Sequence, residues 1–137
     1  MKSMISRSRM QLAFVDLDGL KTINDMYGHE EGDRIISAAA EILMKNAGKQ
    51  YVIRYGGDEF IVMGIFQSEK DVDKYWTNVQ KDIEEYNTNF KKHATLSMSF
   101  GYDIFKVEAK TYLEDCIRVT DKMMYEDKKA KKAKKKK

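Results

Sequence analysis

Residues 54–60 carry the side-chain types in this chain that most clearly indicate chemistry. They read Arg-Tyr-Gly-Gly-Asp-Glu-Phe and stand between two apolar runs at residues 51–53 and 60–63. This pattern predicts a β-hairpin whose tip presents two carboxylates beside bare backbone. Glycine allows positive φ and lets a bulky anion approach the main chain. Because adjacent acids repel each other, we expect a divalent cation to lie between them and the phosphates of a ligand.

A second polar cluster follows the apolar residues 11–15. Its members are Asp16, Asp18, Lys21, Asn24, Asp25, Gly28, His29, Gly32 and Asp33. A strand that ends in an acid places the carboxylate of Asp16 at the rim of a sheet. The amide and carboxylate groups that follow can read the edge of a base by hydrogen bonds, and their density is unlike that of a plain connector.

The surrounding sequence predicts the elements that must position these groups. The predicted elements are a strand at 11–16, a helix at 30–46 closed by Gly48, the hairpin, a helix from Ser68 to about Tyr86, a strand at 95–105 and a last helix capped at 111–114. The order is strand, helix, strand, strand, helix, strand, helix. Hairpin-linked strands mixed with helices indicate an α+β or α/β fold with at least one antiparallel pair.

Length and composition set the broad class. A chain of 137 residues is long enough for one domain with a real core. It contains no apolar run of about 18 residues, so we expect no membrane-spanning segment and no membrane contact. Its single cysteine, Cys116, excludes an internal disulfide framework and is expected in the core. A reducing cytoplasmic compartment fits this cysteine content.

The net charge of +3 conceals two oppositely charged parts. Eight lysines and no acids lie in residues 128–137, so residues 1–127 carry a net charge of −5. An acidic body does not favour a nucleic-acid-binding face. We assign residues 1–127 to the domain and residues 128–137 to a Lys-rich tail whose start continues the last helix.

The two polar clusters together resemble a known family. Residues 16–33, which read Asp-Leu-Asp-x-x-Lys-x-x-Asn-Asp-x-x-Gly-His-x-x-Gly-Asp, and residues 54–60 look like the two main signatures of the GGDEF family, the diguanylate cyclases. Ser99-Phe100-Gly101 is similar to the Ser-x-Gly strand of that family, and residues 121–128 to its last helix. The resemblance covers roughly residues 11–132 in the right order.

The resemblance implies a fold and a reaction. The fold would be palm-like, as in nucleotide cyclases, with a central, mainly antiparallel sheet flanked by helices. The reaction would join two GTP molecules into cyclic di-GMP and release two pyrophosphates. Each subunit would hold one GTP, so catalysis would need a homodimer. The implied cofactor is Mg²⁺ or Mn²⁺, and a sensory domain would lie outside this chain.

The resemblance also implies roles for individual residues. Asp16, the Leu17 carbonyl, Asp58 and Glu59 would bind the metal, and Asp58 and Glu59 would be catalytic. For Glu59 a solvated acid is the alternative. Substrate-binding positions would be Lys21, Asn24, His29, Asp33, Gly56, Gly57, Lys128 and Lys132, with Asn24 and Asp33 reading guanine and the two C-terminal lysines holding the triphosphate. His29 is equally compatible with local capping, Asp18 with capping of the following turn, and Asp25 with a structural role.

Two alternatives to catalysis remain from the sequence. One is a GTP-binding regulatory module without turnover, and the other is a nucleic-acid-binding domain with a basic tail. The family segment Asp-x-Leu-Thr-Gly-Leu-x-Asn-Arg has no match in the fifteen residues before Asp16, so we expect its helix to lie outside this chain. Lys132 stands where the family carries arginine, and lysine supplies charge without a bidentate fork.

Overall fold

The computed structural model describes residues 9–66, 68–90, 94–106 and 113–135. These residues form four strands and four helices in one chain order. The elements are β1 (Arg9–Leu17), α1 (Leu20–Tyr27), α2 (His29–Lys45), β2 (Tyr51–Arg54), β3 (Glu59–Ile65), α3 (Glu69–Asn89), β4 (Met98–Lys106) and α4 (Leu113–Lys135). Each element predicted from the sequence is present. The predicted cap at residues 111 and 112 lies outside the described residues.

The predicted element order was wrong at one place, because it lacked α1. This eight-residue helix has two buried side chains, Leu20 and Ile23, so its apolar face is short and lies within a polar run. Two glycines with positive φ delimit it, Gly19 at 69° and Gly28 at 94°. Those conformations suit glycine because it has no Cβ, and they turn the chain sharply at both ends of the helix.

The sheet has the strand order β2-β3-β1-β4, and every neighbouring pair is antiparallel. This confirms the predicted α+β class with a central antiparallel sheet and the predicted hairpin between β2 and β3. In the register, Asp16 on β1 lies opposite Glu59 on β3 and opposite Ser99 on β4. The C-terminal end of β1 therefore lies beside the hairpin tip.

Helices cover the two faces of the sheet unequally. The larger core joins β1, β3 and β4 to α1, α2 and α3 and includes Val15, Leu17, Ile35, Leu43, Val62, Val79 and Trp76. The smaller core joins the other face to α4 and consists of Leu12, Phe14, Ile61, Cys116 and Met124. Full burial of each large apolar side chain contributes about 1.5–3 kcal/mol. The expected core position of Cys116 is confirmed.

Helix α4 lies unusually close to β4 at Gly101. A Cβ built on Gly101 would lie 2.3 Å from the Met123 Cβ and 2.5 Å from the Thr120 carbonyl oxygen. Any side chain there would force the helix away from the sheet. The glycine therefore fixes the height at which α4 crosses the strand, and with it the position of the lysines further along the helix.

None of the described helices combines the length and the apolar character needed to cross a bilayer.

Candidate functional site

The acidic groups predicted to bind a metal meet at the edge of the sheet that is formed by the C-terminal end of β1 and the tip of the β2–β3 hairpin. The Leu17 amide donates to the Asp58 carbonyl at 2.8 Å, which joins the end of β1 to the hairpin tip. Asp16 and Glu59 are opposite one another in the β1–β3 ladder. Asp16 is only 8% exposed, and Leu17 is buried as well. The structure thus brings together Asp16, Leu17, Asp58 and Glu59, the residues to which the family resemblance assigns metal binding.

Arg54 holds the hairpin tip in shape. Its Nε donates to the Gly56 carbonyl at 3.3 Å, and its Nη2 donates to the Gly57 carbonyl at 2.9 Å. The amides of Tyr55 and Gly56 both donate to the Glu59 carbonyl, at 2.8 and 3.3 Å. A Cβ on Gly56 would lie 2.3 Å from Glu59 Oε1, so the glycine leaves room for that carboxylate. Arg54 therefore stabilises the hairpin tip by donating hydrogen bonds to its carbonyl groups.

Charge is concentrated and partly uncompensated at this edge. Burial raises the pKa of Asp16 to about 6, against the opposing effect of Lys128 and with a further rise from Asp58. The Lys128 ammonium pairs with Asp16 Oδ2, whereas Oδ1 of the same carboxylate is buried and has no hydrogen-bond partner among the described residues. Burial, followed by the nearby charges of Asp58 and Asp121, raises the pKa of Glu59.

The chemistry of these groups fits a small divalent cation. Mg²⁺ prefers oxygen ligands and is commonly held by one or two carboxylates together with substrate phosphates. Asp16 offers a buried carboxylate oxygen without a partner, and Asp58 approaches it closely enough to raise its pKa. Among the described residues, no group of three or more His, Cys, Asp or Glu side chains could hold a metal ion without other ligands. The edge therefore suits a cation whose remaining ligands come from phosphate and water.

The predicted base-reading residues lie at a separate corner, between α1 and α2. The Asn24 side chain lies directly over Gly32, since a Cβ on Gly32 would fall 1.8 Å from Asn24 Oδ1. Gly32 is buried, while the next residue, Asp33, is exposed on the first turns of α2. His29 is exposed at the first position of α2 and caps nothing through its side chain. This corner thus carries the Asn24 amide over Gly32 and an exposed carboxylate on the following residue.

A basic cleft, lined mainly by lysines, lies beside the acidic edge, where Lys128 pairs with Asp16. It has a volume of about 510 Å³ and lies between the start of α1 and the end of α4. Its lining residues are Asp18, Gly19, Thr22, Ser97 and the lysines 128, 131, 132 and 134. No side chain caps the N-terminus of α1, where Lys21 lies exposed in the first turn. Amides at a helix N-terminus attract anions. The cleft therefore combines features that bind phosphate.

The sequence did not indicate the network around Asp18. Asp18 does not cap α1; its Oδ2 accepts from Ser97 Oγ at 2.6 Å and its Oδ1 accepts from Ser99 Oγ at 2.7 Å. Lys131 Nζ lies 3.5 Å from Asp18 Oδ2. Ser99 lies in β4 and Ser97 lies just before it, and their spacing of two residues is a signal that the sequence contained. Lys131 lay within a uniform run of lysines, where nothing distinguished it from its neighbours.

Comparison with protein families and curated proteins gives consistent matches. The family model described as diguanylate cyclase, GGDEF domain, matches residues 1–134. The chain is 31% identical over 118 residues to the bifunctional diguanylate cyclase/cyclic di-GMP phosphodiesterase MucR of Pseudomonas aeruginosa, a match that covers 85% of this chain and 17% of MucR. It is 29% identical over 121 residues to diguanylate cyclase DosC of Escherichia coli, covering 85% of this chain and 25% of DosC. The chain spans a quarter or less of these two relatives.

Solved structures share the fold at low sequence identity. The GGDEF domain of PA1120 (TpbB or YfiN) from Pseudomonas aeruginosa gives a TM-score of 0.78 at 24% identity, covering 94% of this chain and 76% of that one. An EAL/GGDEF domain protein from M. capsulatus gives 0.76 at 25% identity, covering 90% and 81%. The GGDEF domain of DgcB from Caulobacter crescentus, solved with c-di-GMP, gives 0.73 at 20% identity, covering 94% and 82%.

Proposed function

This chain belongs to the GGDEF domain family, and from that premise we propose that it is a diguanylate cyclase domain. Two copies, each holding one GTP and divalent metal, condense the two nucleotides into cyclic di-GMP. Two pyrophosphates leave. The observation that carries this proposal is the buried Asp16 carboxylate. One of its oxygens pairs with Lys128, the other has no hydrogen-bond partner within the described part of the chain, and nearby Asp58 raises the pKa of the group.

The acidic edge supplies the metal ligands. Asp16, the Leu17 carbonyl, Asp58 and Glu59 would hold Mg²⁺ or Mn²⁺. A divalent cation held there would supply positive charge that stabilises the negative charge developing on the phosphates. A cation beside Asp16 would oppose the effect of burial on its pKa, because an opposite charge favours the ionised carboxylate.

In the proposed mechanism, Lys128 exchanges its partner Asp16 for the triphosphate of GTP. Its pKa is raised because the Asp16 ion pair outweighs the effect of burial, so the ammonium is charged in the folded chain. Lys128 also lines the basic cleft, where Lys132 is exposed. With Asp16 engaged as a metal ligand, Lys128 would be free to pair with the triphosphate. Both lysines and the N-terminus of α1 then face phosphate oxygens.

The corner between α1 and α2 reads the base. Asp33 accepts from the N1–H and the exocyclic amine of guanine, and Asn24 adds an amide contact. Adenine lacks that pair of donors, so binding of ATP would leave the polar groups of this corner unpaired. Unpaired polar groups in a binding site discriminate strongly against the wrong ligand. Helix α1, about 12 Å long for its eight residues, separates the base corner from the phosphate cleft.

The bond-forming step needs two copies. The 3′-hydroxyl oxygen of one GTP attacks the α-phosphorus of the GTP on the facing subunit, pyrophosphate leaves, and the hydroxyl proton passes to a base. The raised pKa of Glu59 makes that carboxylate a better proton acceptor than an ordinary glutamate. Repeating the step in the opposite direction closes the ring.

A second candidate is GTP binding without turnover. It is favoured by Lys132, an exposed lysine where the family carries arginine, because lysine cannot clamp a phosphate through two parallel hydrogen bonds. In either case we propose a cytoplasmic domain that serves a sensory domain elsewhere in a longer protein.

The deciding experiment is product analysis. The chain is incubated with GTP and Mg²⁺ over a hundredfold range of protein concentration, and nucleotides are separated by chromatography. We expect cyclic di-GMP and pyrophosphate, at a rate per chain that rises with concentration. Matched controls are a chelator and Asp58→Asn, both of which abolish product.

Calorimetry on the same samples separates the two candidates. GTP binding with no product supports the regulatory module. Absence of GTP binding with Mg²⁺ present contradicts both candidates. Equal binding of ATP and GTP would contradict the base-reading assignment of Asn24 and Asp33.

A further inference from the structure

The second half of α4 is attached to the sheet by charges. In the part of the chain that the structure describes, Met124 is the last buried side chain of this helix. Beyond it, Lys128 pairs with Asp16 at the end of β1. One turn later, Lys131 reaches Asp18 and donates to the Met98 carbonyl. Polar contacts therefore decide where the lysines of this helix lie.

Lys131 is part of a larger and more fully satisfied network than Lys128. The Asp18 carboxylate that it faces already accepts hydrogen bonds from Ser97 and Ser99, at 2.6 and 2.7 Å. Lys131 Nζ is also 3.8 Å from Asp127 Oδ2, and the same oxygen accepts from the Phe100 amide at 2.9 Å. The network joins β1, β4 and α4 at one point.

Lys131 has several partners on the protein. Its ammonium donates hydrogen bonds to the Met98 carbonyl and to Asp18, and it forms a longer ion pair with Asp127 at 3.8 Å. Two of the three donors of an ammonium are therefore used within the fold. Lys128, in contrast, pairs with one carboxylate that the proposed metal would claim. Of these two lysines, one has a fixed set of partners and the other is available to exchange.

We propose that Lys131 is a positioning residue for the phosphate end of the site. Through Asp18 it fixes α4 on the ends of β1 and β4 so that Lys128 faces both Asp16 and the incoming triphosphate. Lys131 acts through Lys128 and makes no phosphate contact of its own. This inference rests on the proposed function, because it assigns a role within the proposed GTP site.

A double-mutant cycle tests the proposal. GTP affinity with Mg²⁺ is measured by calorimetry for the unmodified chain, Lys128→Met, Lys131→Met and the double variant, well below their melting temperatures. Methionine keeps the length of the side chain and removes its charge. The matched control is Lys129→Met, because Lys129 is exposed on the same helix and contacts the Tyr125 ring at 4.9 Å.

We expect Lys128→Met to weaken GTP binding about tenfold and Lys131→Met about three- to tenfold, the scale of one charge-assisted hydrogen bond. In the Lys128→Met background, Lys131→Met should have less than about a twofold further effect. The control should bind GTP like the unmodified chain. Additive losses would show that Lys131 contacts the ligand itself, and unchanged GTP affinity with a lowered melting temperature would show a purely structural role. Either result overturns the proposal.

Two further measurements cover the remaining cases. Should Lys131→Met fail to fold, the Ser97→Ala/Ser99→Ala variant loosens Asp18 without removing a lysine and must show the same dependence on Lys128. If the unmodified chain binds no GTP, the proposed function is wrong. The double-mutant cycle is then carried out with Mn²⁺ affinity, measured by electron paramagnetic resonance, in place of GTP affinity. Both Lys128→Met and Lys131→Met should then tighten Mn²⁺ binding, because each frees Asp16, and additive or absent effects overturn the inference.

Discussion

Two aspartates that lie two residues apart have opposite surroundings. Asp16 is buried with one oxygen lacking a hydrogen-bond partner, and its pKa is raised to about 6 mainly by that burial. Asp18 accepts from Ser97 and Ser99 and faces Lys131. A buried polar group without partners costs stability, and one with partners stabilises the fold. The difference agrees with the proposal that Asp16 binds a ligand and that Asp18 stabilises the structure around it.

Asp16→Asn should give the largest effect and should separate activity from stability. Loss of a metal-binding carboxylate is expected to lower cyclic di-GMP formation about 100-fold or more. The free energy of unfolding measured in urea with chelator should rise by about 1–2 kcal/mol at pH 7, because a neutral amide replaces a carboxylate that is poorly placed for its charge. A variant that is both inactive and less stable would contradict this assignment.

Asp18→Asn should act in the reverse direction on stability. The amide cannot accept both serine hydroxyls and also attract Lys131, so the free energy of unfolding should fall by about 1–3 kcal/mol. The control is Asp25→Asn, an exposed acid on α1, which should change it by less than about 0.5 kcal/mol. Equal stability of Asp16→Asn and Asp18→Asn in the same urea titration would remove the distinction between the two acids.

Much of the fold follows from local sequence patterns. Apolar periodicity predicted α2 and α3, and the Ser68 cap is confirmed by its acceptance from the Asp71 amide at 3.4 Å. The hairpin followed from two glycines between apolar runs. Helix α1 was missed because its apolar face consists of two buried side chains, too few to produce a periodic signal. Turn glycines at both ends were visible, but they indicate where an element stops and not which element it is.

The site was predictable only where its members are close in sequence or match a family signature. The Asp16 and Asp58 groups were placed by the two signatures. Contacts of Lys131 with Asp18 and Met98 join residues far apart in the chain, and they depend on how closely α4 crosses β4 at Gly101. That approach is a property of packing in three dimensions. A run of lysines gives no sign of which one will meet the sheet.

Gly32→Ala tests the corner between α1 and α2 in the same way. At this corner it is a glycine, and not an acid, that we expect the ligand site to require. The new Cβ would overlap Asn24 Oδ1, so the Asn24 side chain must rotate away. Alanine also favours the helix by roughly 0.5–1 kcal/mol, so stability should be maintained. We expect about tenfold weaker GTP binding in calorimetry, and the same loss in Asn24→Ala. If Gly32→Ala weakens GTP binding further in the Asn24→Ala background, the effect does not pass through Asn24.

The pH dependence of stability gives the smallest effect and the most direct test of the Asp16 environment. The folded chain holds the Asp16 proton with a pKa of about 6 against the ordinary 3.8, so the folded state binds the proton more tightly than the unfolded state does. This group therefore favours folding below about pH 4, and its contribution is lost as the pH rises to 6.

Other acids also titrate in this range, and comparison with Asp16→Asn cancels their effects. With chelator present, the free energy of unfolding of the variant should exceed that of the unmodified chain by nearly nothing at pH 4 and by about 1–2 kcal/mol at pH 7. The full pKa difference would correspond to about 3 kcal/mol, and solvent screening reduces it. Urea titrations from pH 4 to 7 measure this gap. A gap that is constant across the range would mean that Asp16 is not strained by its burial, and the contrast with Asp18 would then rest on hydrogen bonds alone.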